Sequence, residues 1–181
     1  MVMPPTVLSV PFVNRGEASR SRIFRAEVNL MTVTFDELYK MAKSVLNPRK
    51  LSESAEAGGV GAAILAESGR VYTGVCIDTG SSMGFCAEHA AAAAMVTAGE
   101  SRVSRMVAVG WDGRVMPPCG RCREFISQLH HDNLEAEVMV GEGVIVTLRE
   151  LLPYDWRQSA GAGGKPSKND RRHNKRMQPT A

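Results

Sequence analysis

The sequence contains no long apolar run. No stretch of its 181 residues approaches the roughly 20 apolar residues that a membrane-spanning helix needs. Its opening residues, MVMPPTVLSVPFV, are apolar, but prolines interrupt them, and no basic residue precedes them as it would in a secretory signal peptide. We therefore expect a cytoplasmic protein without a membrane partner.

Cysteines are also few. Four cysteines in a chain without a secretory signal argue against a disulfide-stapled fold and favour thiol or metal chemistry. Apolar residues make up 44% and charged residues 23%, as in ordinary globular proteins, and there is no internal repeat. The length is enough for one domain with a substantial core.

Basic charge is scarce in the middle of the chain. The formal net charge is +3, but residues 157–181 hold seven Lys/Arg against one Asp, and residues 1–30 hold four Arg against two Glu. Residues 31–156 are therefore net acidic and lack a basic stripe for phosphates, so no specific nucleic-acid partner is expected. We predict a disordered extension over 1–30, a basic disordered tail over 157–181, and Met31 as a candidate start.

Residues 31–156, which lie between the two predicted disordered segments, show alternating helix and strand patterns. Thr34 and Glu37 form a capping box that opens a helix at about 34–46. Two strands follow at 60–66 and 70–77, then a helix at 86–98, a strand at 105–110 and a helix at 119–130. Two further strands at 136–140 and 144–147 precede a short helix after 147. This alternation predicts an α/β domain over 31–156 with helices packed on a sheet.

Two of the predicted helices begin with a cysteine. Cys86 opens the alanine-rich helix, and Cys119 opens the helix that also carries Cys122. The positive end of a helix dipole lowers the pKa of a thiol and favours a metal–thiolate cluster, and both N-termini could point at one place. Three thiolates on Zn²⁺ leave a fourth position for water, which is the arrangement of a catalytic zinc site.

Glu88 lies two residues after the first of these cysteines. On the first turn of the helix, its carboxylate could reach a metal-bound water without binding the metal, as a general acid–base of hydrolysis must. A Cys-x-Glu motif followed by Pro-Cys-x-x-Cys is the signature of zinc deaminases. The sequence satisfies both halves, with Cys86-Ala87-Glu88 and Pro118-Cys119-Gly120-Arg121-Cys122.

These motifs resemble the cytidine deaminase family. RVYTGV, CAE, PCGRCR and RELLP occur in the family order over roughly 33–156, and they are closest to the blasticidin S deaminases within the small three-cysteine group. The resemblance implies a three-layer α-β-α fold with a mixed β-sheet, assembled as a homotetramer or dimer. It also implies hydrolytic deamination of a cytosine-type nucleoside, such as cytidine, deoxycytidine or blasticidin S, with release of ammonia.

The resemblance also assigns roles to individual residues. Zn²⁺ would be bound by three thiolates, those of Cys86, Cys119 and Cys122. Glu88 would move protons from the zinc-bound water to the ring and the leaving amine, and the backbone N–H of Ala87 would hold the carbonyl of the base. Arg121 resembles the arginine at this position in blasticidin S deaminases. The negative charge of zinc with three thiolates could be offset by Arg121, Arg123 or His89.

The sequence departs from the family at several positions. Cytidine deaminases commonly carry Asn-x-Glu after the second strand to grip the ribose; the matching positions are Cys76 and Asp78, which we expect to contact the substrate. A family aromatic near the base falls on Gly58, and Phe85 is a candidate replacement. His89 stands where the family often has an arginine, and we expect it to bond to backbone or solvent.

Two other classes of function stay open from the residues alone. A structural four-cysteine zinc site that recruits Cys76 would make the chain a non-catalytic binding module whose basic tail contacts nucleic acid. A redox Cys-x-x-Cys pair would make it a thiol oxidoreductase without bound metal. That second alternative leaves Cys86 and Glu88 without a role.

Overall fold

A computed structural model describes residues 33–157 of the chain. The predicted extension, the candidate start and nearly all of the predicted tail lie outside this range. The described helices and strands, in chain order, are α1 Phe35–Ser44, β1 Arg49–Ser52, β2 Ala55–Ala66, β3 Val71–Thr79, α2 Ala87–Thr97, β4 Val103–Gly110, β5 Val115–Met116, α3 Gly120–Leu129, β6 Glu137–Gly141, β7 Val144–Thr147 and α4 Leu148–Leu151. None of the helices described combines the length and apolarity required to cross a membrane.

The strands form one mixed sheet around β2 and β4. β2 pairs antiparallel with β3 along one side and with β1 and β4 along the other. β4 pairs in parallel with β6 and antiparallel with the short β5, and β7 pairs antiparallel with β6. The β4–β6 pair is the one parallel pairing among the described strands, so the sheet is mixed as the resemblance implies.

Helices cover both faces of this sheet. Ala62 and Ile64 of β2 belong to one core cluster, whereas the alternate residues Ala63 and Leu65 belong to the other, because successive strand side chains point to opposite faces. The first cluster receives side chains from α2, α3 and α4, and the second receives those of α1. The predicted three-layer α-β-α fold is confirmed.

The alanine-rich helix α2 lies unusually close to the sheet. A Cβ at Gly74 of β3 would collide with the backbone nitrogen of Ala91 and the side chain of Ala90, so only glycine fits between strand and helix. The small side chains of α2 allow this backbone-to-backbone approach. The N-terminus of α2, which carries Cys86, is thereby held near the end of β3.

The structure also contains elements that sequence patterns did not predict. β1 is exposed at all four residues and shows no apolar alternation, and β5 is only two residues long. β2 begins at Ala55 rather than residue 60, because pairing with β3 extends the strand through the segment AEAGG, which lacks β-branched residues. Short 3₁₀ turns at Gly80–Ser82 and His131–Glu135 were likewise not predicted.

The last described residue, Arg157, packs against α3, although sequence analysis assigned it to the tail. Its guanidinium forms a two-armed ion pair with Asp155, at 2.9 and 2.6 Å, and the Asp155 side chain is almost fully buried. It also donates to the backbone carbonyl of Ser127 at 3.0 Å and to its hydroxyl at 2.9 Å. These contacts attach the C-terminal segment to the end of α3.

Truncation at this boundary should show where the folded domain ends. We expect a chain ending at Arg157 to keep its Tm, and a chain ending at Trp156 to melt several degrees lower. The reason is that Asp155 would then be a buried acceptor without its partner, which costs about 1–3 kcal/mol. Thermal unfolding followed by circular dichroism measures the difference. Equal Tm values for the two truncations would contradict a stabilising role for Arg157.

Candidate metal centre and substrate pocket

The N-termini of α2 and α3 meet at one place. Cys86 is the N-cap of α2 and Cys119 is the N-cap of α3, and their Sγ atoms lie 3.6 Å apart. Cys122, one turn into α3, is fully buried and places its Sγ 3.5 Å from that of Cys119. The three cysteines that the sequence motifs single out are therefore brought together by the fold.

The spacing of these thiols fits a zinc ion. Tetrahedral zinc with Zn–S bonds of about 2.3 Å places its sulfur ligands about 3.8 Å apart. The two Sγ–Sγ distances of 3.6 and 3.5 Å lie close to that value. The donors are soft thiolates at helix N-termini, where the helix dipole favours negative charge. Three such ligands would leave one coordination position open.

The electrostatics of the cluster also call for a cation. Burial raises the pKa of the Cys86 thiol, and it raises the pKa of Cys122 strongly, with the charge of Glu88 acting in the same direction. Burial also acts to raise the pKa of Cys119, but hydrogen bonds from Cys122 and Cys86 outweigh it and leave the pKa lowered. Burial therefore works against ionising Cys86 and Cys122, and a bound cation would offset that effect.

His89 contacts the cluster rather than backbone or solvent. Its Nδ1 lies 3.4 Å from the Sγ of Cys122, and its ring stacks on Phe125 with centroids 4.4 Å apart. Donor atoms of Cys86, His89 and Cys122 all lie within 4.8 Å of one another. Burial, followed by the nearby charge of Arg121, lowers the pKa of the imidazole. The described partner of His89 is therefore a thiol, whereas sequence analysis expected backbone or solvent in preference to a role as metal ligand.

Glu88 is the buried acid next to this cluster. Its side chain is 4% exposed and lines the same cavity as Cys86 and Cys119. Burial raises the pKa of its carboxyl, against the opposing effects of its own backbone N–H and the Cys122 thiol. A carboxyl group with a raised pKa beside a metal site can both accept and release a proton.

A cavity of about 450 Å³ opens beside the thiols, within the size range of small-molecule sites. All the residues that sequence analysis assigned to substrate contact line it, namely Cys76, Asp78, Phe85 and Ala87, together with Arg121. The sequence patterns missed the remaining lining, which comes from strands and loops: Val60, Thr79, Ser82, Gly84, Ala108, Met116 and Pro117. No local motif marks these residues, because only the sheet topology brings them together.

The fourth cysteine faces this cavity and is engaged elsewhere. The Sγ of Cys76 accepts a hydrogen bond from the backbone N–H of Val60 at 3.2 Å and donates to the carboxylate of Asp78 at 3.5 Å. Cys76 does not belong to any group of potential metal ligands within the described residues. In residues 33–157, the Asp78 carboxylate forms no ion pair with a lysine or arginine.

Phe85 and Arg121 shape the loop at the mouth of the cavity. Phe85 exchanges two backbone hydrogen bonds with Ile77, at 2.9 and 3.0 Å, and its ring is partly exposed. The Nη1 of Arg121 donates to the carbonyl of Gly84 at 3.2 Å, so its described hydrogen bond goes to this loop rather than to a thiol. Gly58 has a φ of +83°, and a Cβ there would collide with Asn47, so no aromatic ring can occupy this position.

Comparison with known proteins finds similarity to cytidine deaminases. The sequence profile of the cytidine and deoxycytidylate deaminase zinc-binding region matches residues 34–137. The chain is 39% identical over 77 residues to a cytidine deaminase of Mycobacterium tuberculosis, which covers 42% of this chain and 56% of that protein. It is 32% identical over 109 residues to the blasticidin-S deaminase of Bacillus cereus, which covers 55% of this chain and 78% of that protein.

The fold comparison extends further along the chain. The crystal structure of cytidine deaminase from Mycobacterium tuberculosis superposes with a TM-score of 0.58 at 29% identity, and the match covers 68% of this chain and 98% of that structure. The sequence alignment, by contrast, spans little more than half the length of the mycobacterial relative. The shared fold therefore reaches beyond the segment in which sequence similarity is evident.

Proposed function

The chain belongs to the cytidine and deoxycytidylate deaminase zinc-binding family, and we propose that it is a zinc-dependent hydrolase that deaminates a cytosine-type nucleoside. One observation carries the proposal: the buried carboxyl of Glu88 opens onto the same cavity as the clustered thiols. A structural zinc site needs neither a buried acid nor a cavity. A hydrolase needs both, because the acid must move protons and the substrate must reach the metal-bound water.

The roles of the residues follow from where they lie. Zinc held by Cys86, Cys119 and Cys122 would supply a bound water of lowered pKa. Glu88, with its raised pKa, is placed to accept a proton from a water in the cavity, and it would donate protons to the ring nitrogen and to the departing amine. The free backbone N–H of Ala87, at the first turn of α2, donates to the carbonyl oxygen of the base.

The apolar lining suits a flat heterocycle. Val60, Ala108, Met116 and Pro117 form apolar wall on the cavity, and Phe85 adds an aromatic ring at its mouth. An aminopyrimidine can be buried against such walls while its polar edge faces Ala87 and Glu88. We therefore assign Phe85 to base contact, in place of the family aromatic that Gly58 cannot supply.

The charges of the cavity favour an unphosphorylated substrate. Asp78 brings a carboxylate without a cationic partner among the described residues, and a phosphate placed beside it would be repelled. Arg121, the basic residue of the lining, already donates to the carbonyl of Gly84. The family profile includes deoxycytidylate deaminases, whose substrate carries a phosphate. In this cavity the Asp78 carboxylate is instead suited to accept hydrogen bonds from sugar hydroxyls or from an amine.

The identity of the sugar is the finer part of the proposal. Cys76 and Asp78 stand where cytidine deaminases commonly grip the ribose, and here they bond to each other. We propose that this pair selects the sugar part of the substrate, which can be ribose, deoxyribose or the modified sugar of an antibiotic. The relative from Bacillus cereus is named for blasticidin S, and that similarity keeps the antibiotic within the proposed substrate class.

A non-catalytic zinc module is the second candidate. His89 supports it, because an imidazole in the fourth coordination position would close the site to water. The buried Glu88 argues against it, since a closed structural site gives that acid no proton to move. The contact of His89 Nδ1 with the Cys122 sulfur is satisfied equally by a hydrogen bond to a thiolate, which is the role we assign to it.

Assembly and location complete the proposal. The outward face of α2 exposes Ala93, Ala94 and Val96, small and apolar side chains that allow close contact with a second copy. We propose a homo-oligomer, dimer or tetramer, which light scattering of the purified protein measures.

Four free cysteines require a reducing compartment to stay reduced, and we propose that the protein acts in the cytoplasm.

Replacing the buried acid tests the catalytic role. We expect Glu88→Gln to keep its zinc and its fold but to lose turnover by at least ~10²–10⁴-fold, because general acid–base catalysis contributes that much and Glu88 serves in more than one transfer. Ammonia release and ultraviolet absorbance, measured over a panel of cytidine, deoxycytidine, their monophosphates and blasticidin S, provide the readout. A zinc-loaded variant that retains most of the wild-type turnover would remove Glu88 from the mechanism.

Restoring the family pattern tests the sugar assignment. We expect Cys76→Asn with Asp78→Glu to raise kcat/KM for cytidine by roughly tenfold, because each recovered hydrogen bond to the sugar is worth about 0.5–1.5 kcal/mol. If the native substrate carries a different sugar, the same change should lower kcat/KM for that substrate. A variant with a lower Tm and an unchanged order of substrates would instead mean that the two side chains only pack.

A further inference from the structure

The segment before α3 has almost no backbone donors of its own. Pro117 and Pro118 lack N–H groups, and β5 ends immediately before them at Met116. Cys119, the N-cap of α3, makes no side-chain capping hydrogen bond either. A hydrogen bond to Pro117 or Pro118 must therefore go to a carbonyl, from a donor elsewhere in the chain, in addition to the packing of the fully buried Pro118 ring.

The side chain of Arg123 supplies such a donor. Its Nε reaches back to the carbonyl of Pro118 at 2.8 Å, directly before the predicted zinc ligand Cys119. The backbone N–H of Arg123 also donates to the carbonyl of Cys119 at 3.1 Å, but this is the ordinary helical bond to the N-cap and does not depend on the side chain. The guanidinium therefore acts on the loop through Pro118.

The other end of the guanidinium connects α3 to the C-terminal helix. Its Nη1 donates to the carbonyl of Leu151, the last residue of α4, at 3.2 Å. α4 is itself anchored, because Thr147 and Glu150 form a capping box and Leu148 is fully buried. Within residues 33–157, Arg123 forms no ion pair with a carboxylate. Its described side-chain contacts are to backbone carbonyls alone.

The N-terminus of α2, which carries the predicted ligand Cys86, is held by backbone hydrogen bonds instead. Phe85, directly before Cys86, exchanges two backbone hydrogen bonds with Ile77 of β3, so the sheet itself fixes the start of α2. No such pairing is open to Pro118, which has no N–H to offer. Arg123 performs for α3 the task that backbone pairing performs for α2.

We propose that Arg123 is a positioning residue of the metal centre, whose side chain holds Cys119 and Cys122 in ligand geometry through the carbonyl of Pro118 and through α4. The inference rests on the zinc site of the proposed function, but not on the reaction catalysed there. Groups that orient metal ligands typically contribute 10–100-fold to metal affinity. The side chain of Arg123 should therefore control how long zinc stays bound.

The test measures zinc release from the full-length, zinc-loaded protein. Arg123→Gln, Arg123→Lys and wild type are mixed with excess chelator, well below the Tm of every variant, and free zinc is followed over time. We expect Arg123→Gln to release zinc roughly 10–100-fold faster than wild type. Arg123→Lys should fall between them, because a single ammonium group can reach one of the two side-chain acceptors but not both.

Arg157→Gln is the matched control. Arg157 also binds α3, but through Ser127 at the helix end far from the thiols, so its loss should lower the Tm while zinc release stays close to the wild-type rate. The inference is overturned if Arg123→Gln releases zinc at the wild-type rate, or if Arg157→Gln accelerates release equally. Should Arg123→Gln fail to fold, a wild-type release rate in Arg123→Lys overturns it.

The result for Arg123 can be distinguished from the result for the proposed function. A protein that holds zinc, releases it faster in Arg123→Gln, and deaminates none of the nucleosides offered would refute the proposed reaction and support the role of Arg123. A wild-type protein that binds no zinc would refute both.

Discussion

The gathering of three thiols where two helix N-termini meet, with Cys122 buried, Cys86 half-buried and Cys119 exposed, is the constraint on which the rest of the site depends. Removal from water raises the pKa of Cys86 and Cys122, and in residues 33–157 no lysine contacts the sulfurs to compensate. A divalent cation lets all three thiols ionise at once and restores the electrostatic balance. The arrangement of the three thiols is therefore better explained by a bound metal ion than by three free thiols.

The surrounding fold serves this meeting point. Gly74 and the alanines of α2 let that helix lie directly against β3, which places Cys86 and Glu88 at the end of the strand that also carries Asp78. Arg123 and the C-terminal segment hold α3 from its other side. α2 supplies Cys86 and the acid Glu88, α3 supplies Cys119 and Cys122, and strands and loops line the cavity. The deamination proposed here needs the acid, the thiols and the cavity together.

Local motifs made much of this predictable. The capping box at Thr34 occurs as the sequence indicates, because a cap depends on residues only three positions apart. Contacts between distant parts of the chain could not be predicted in this way. β1, for example, has no apolar alternation of its own and is stabilised by pairing with β2. The contact of His89 with Cys122 and the reach of Arg123 to Leu151 depend on how α3 packs, which no local pattern encodes.

X-ray absorption spectroscopy at the zinc edge tests the central claim most directly, because it counts the atoms bound to the metal. For the purified wild-type protein and for Cys76→Ser, we expect the same spectrum, with three sulfur atoms at about 2.3 Å and one oxygen at about 2.0 Å. Zinc content should be one ion per chain in both. Four sulfur ligands in the wild type and a loss of zinc in Cys76→Ser, or a histidine signature in the fourth position, would contradict an open catalytic centre.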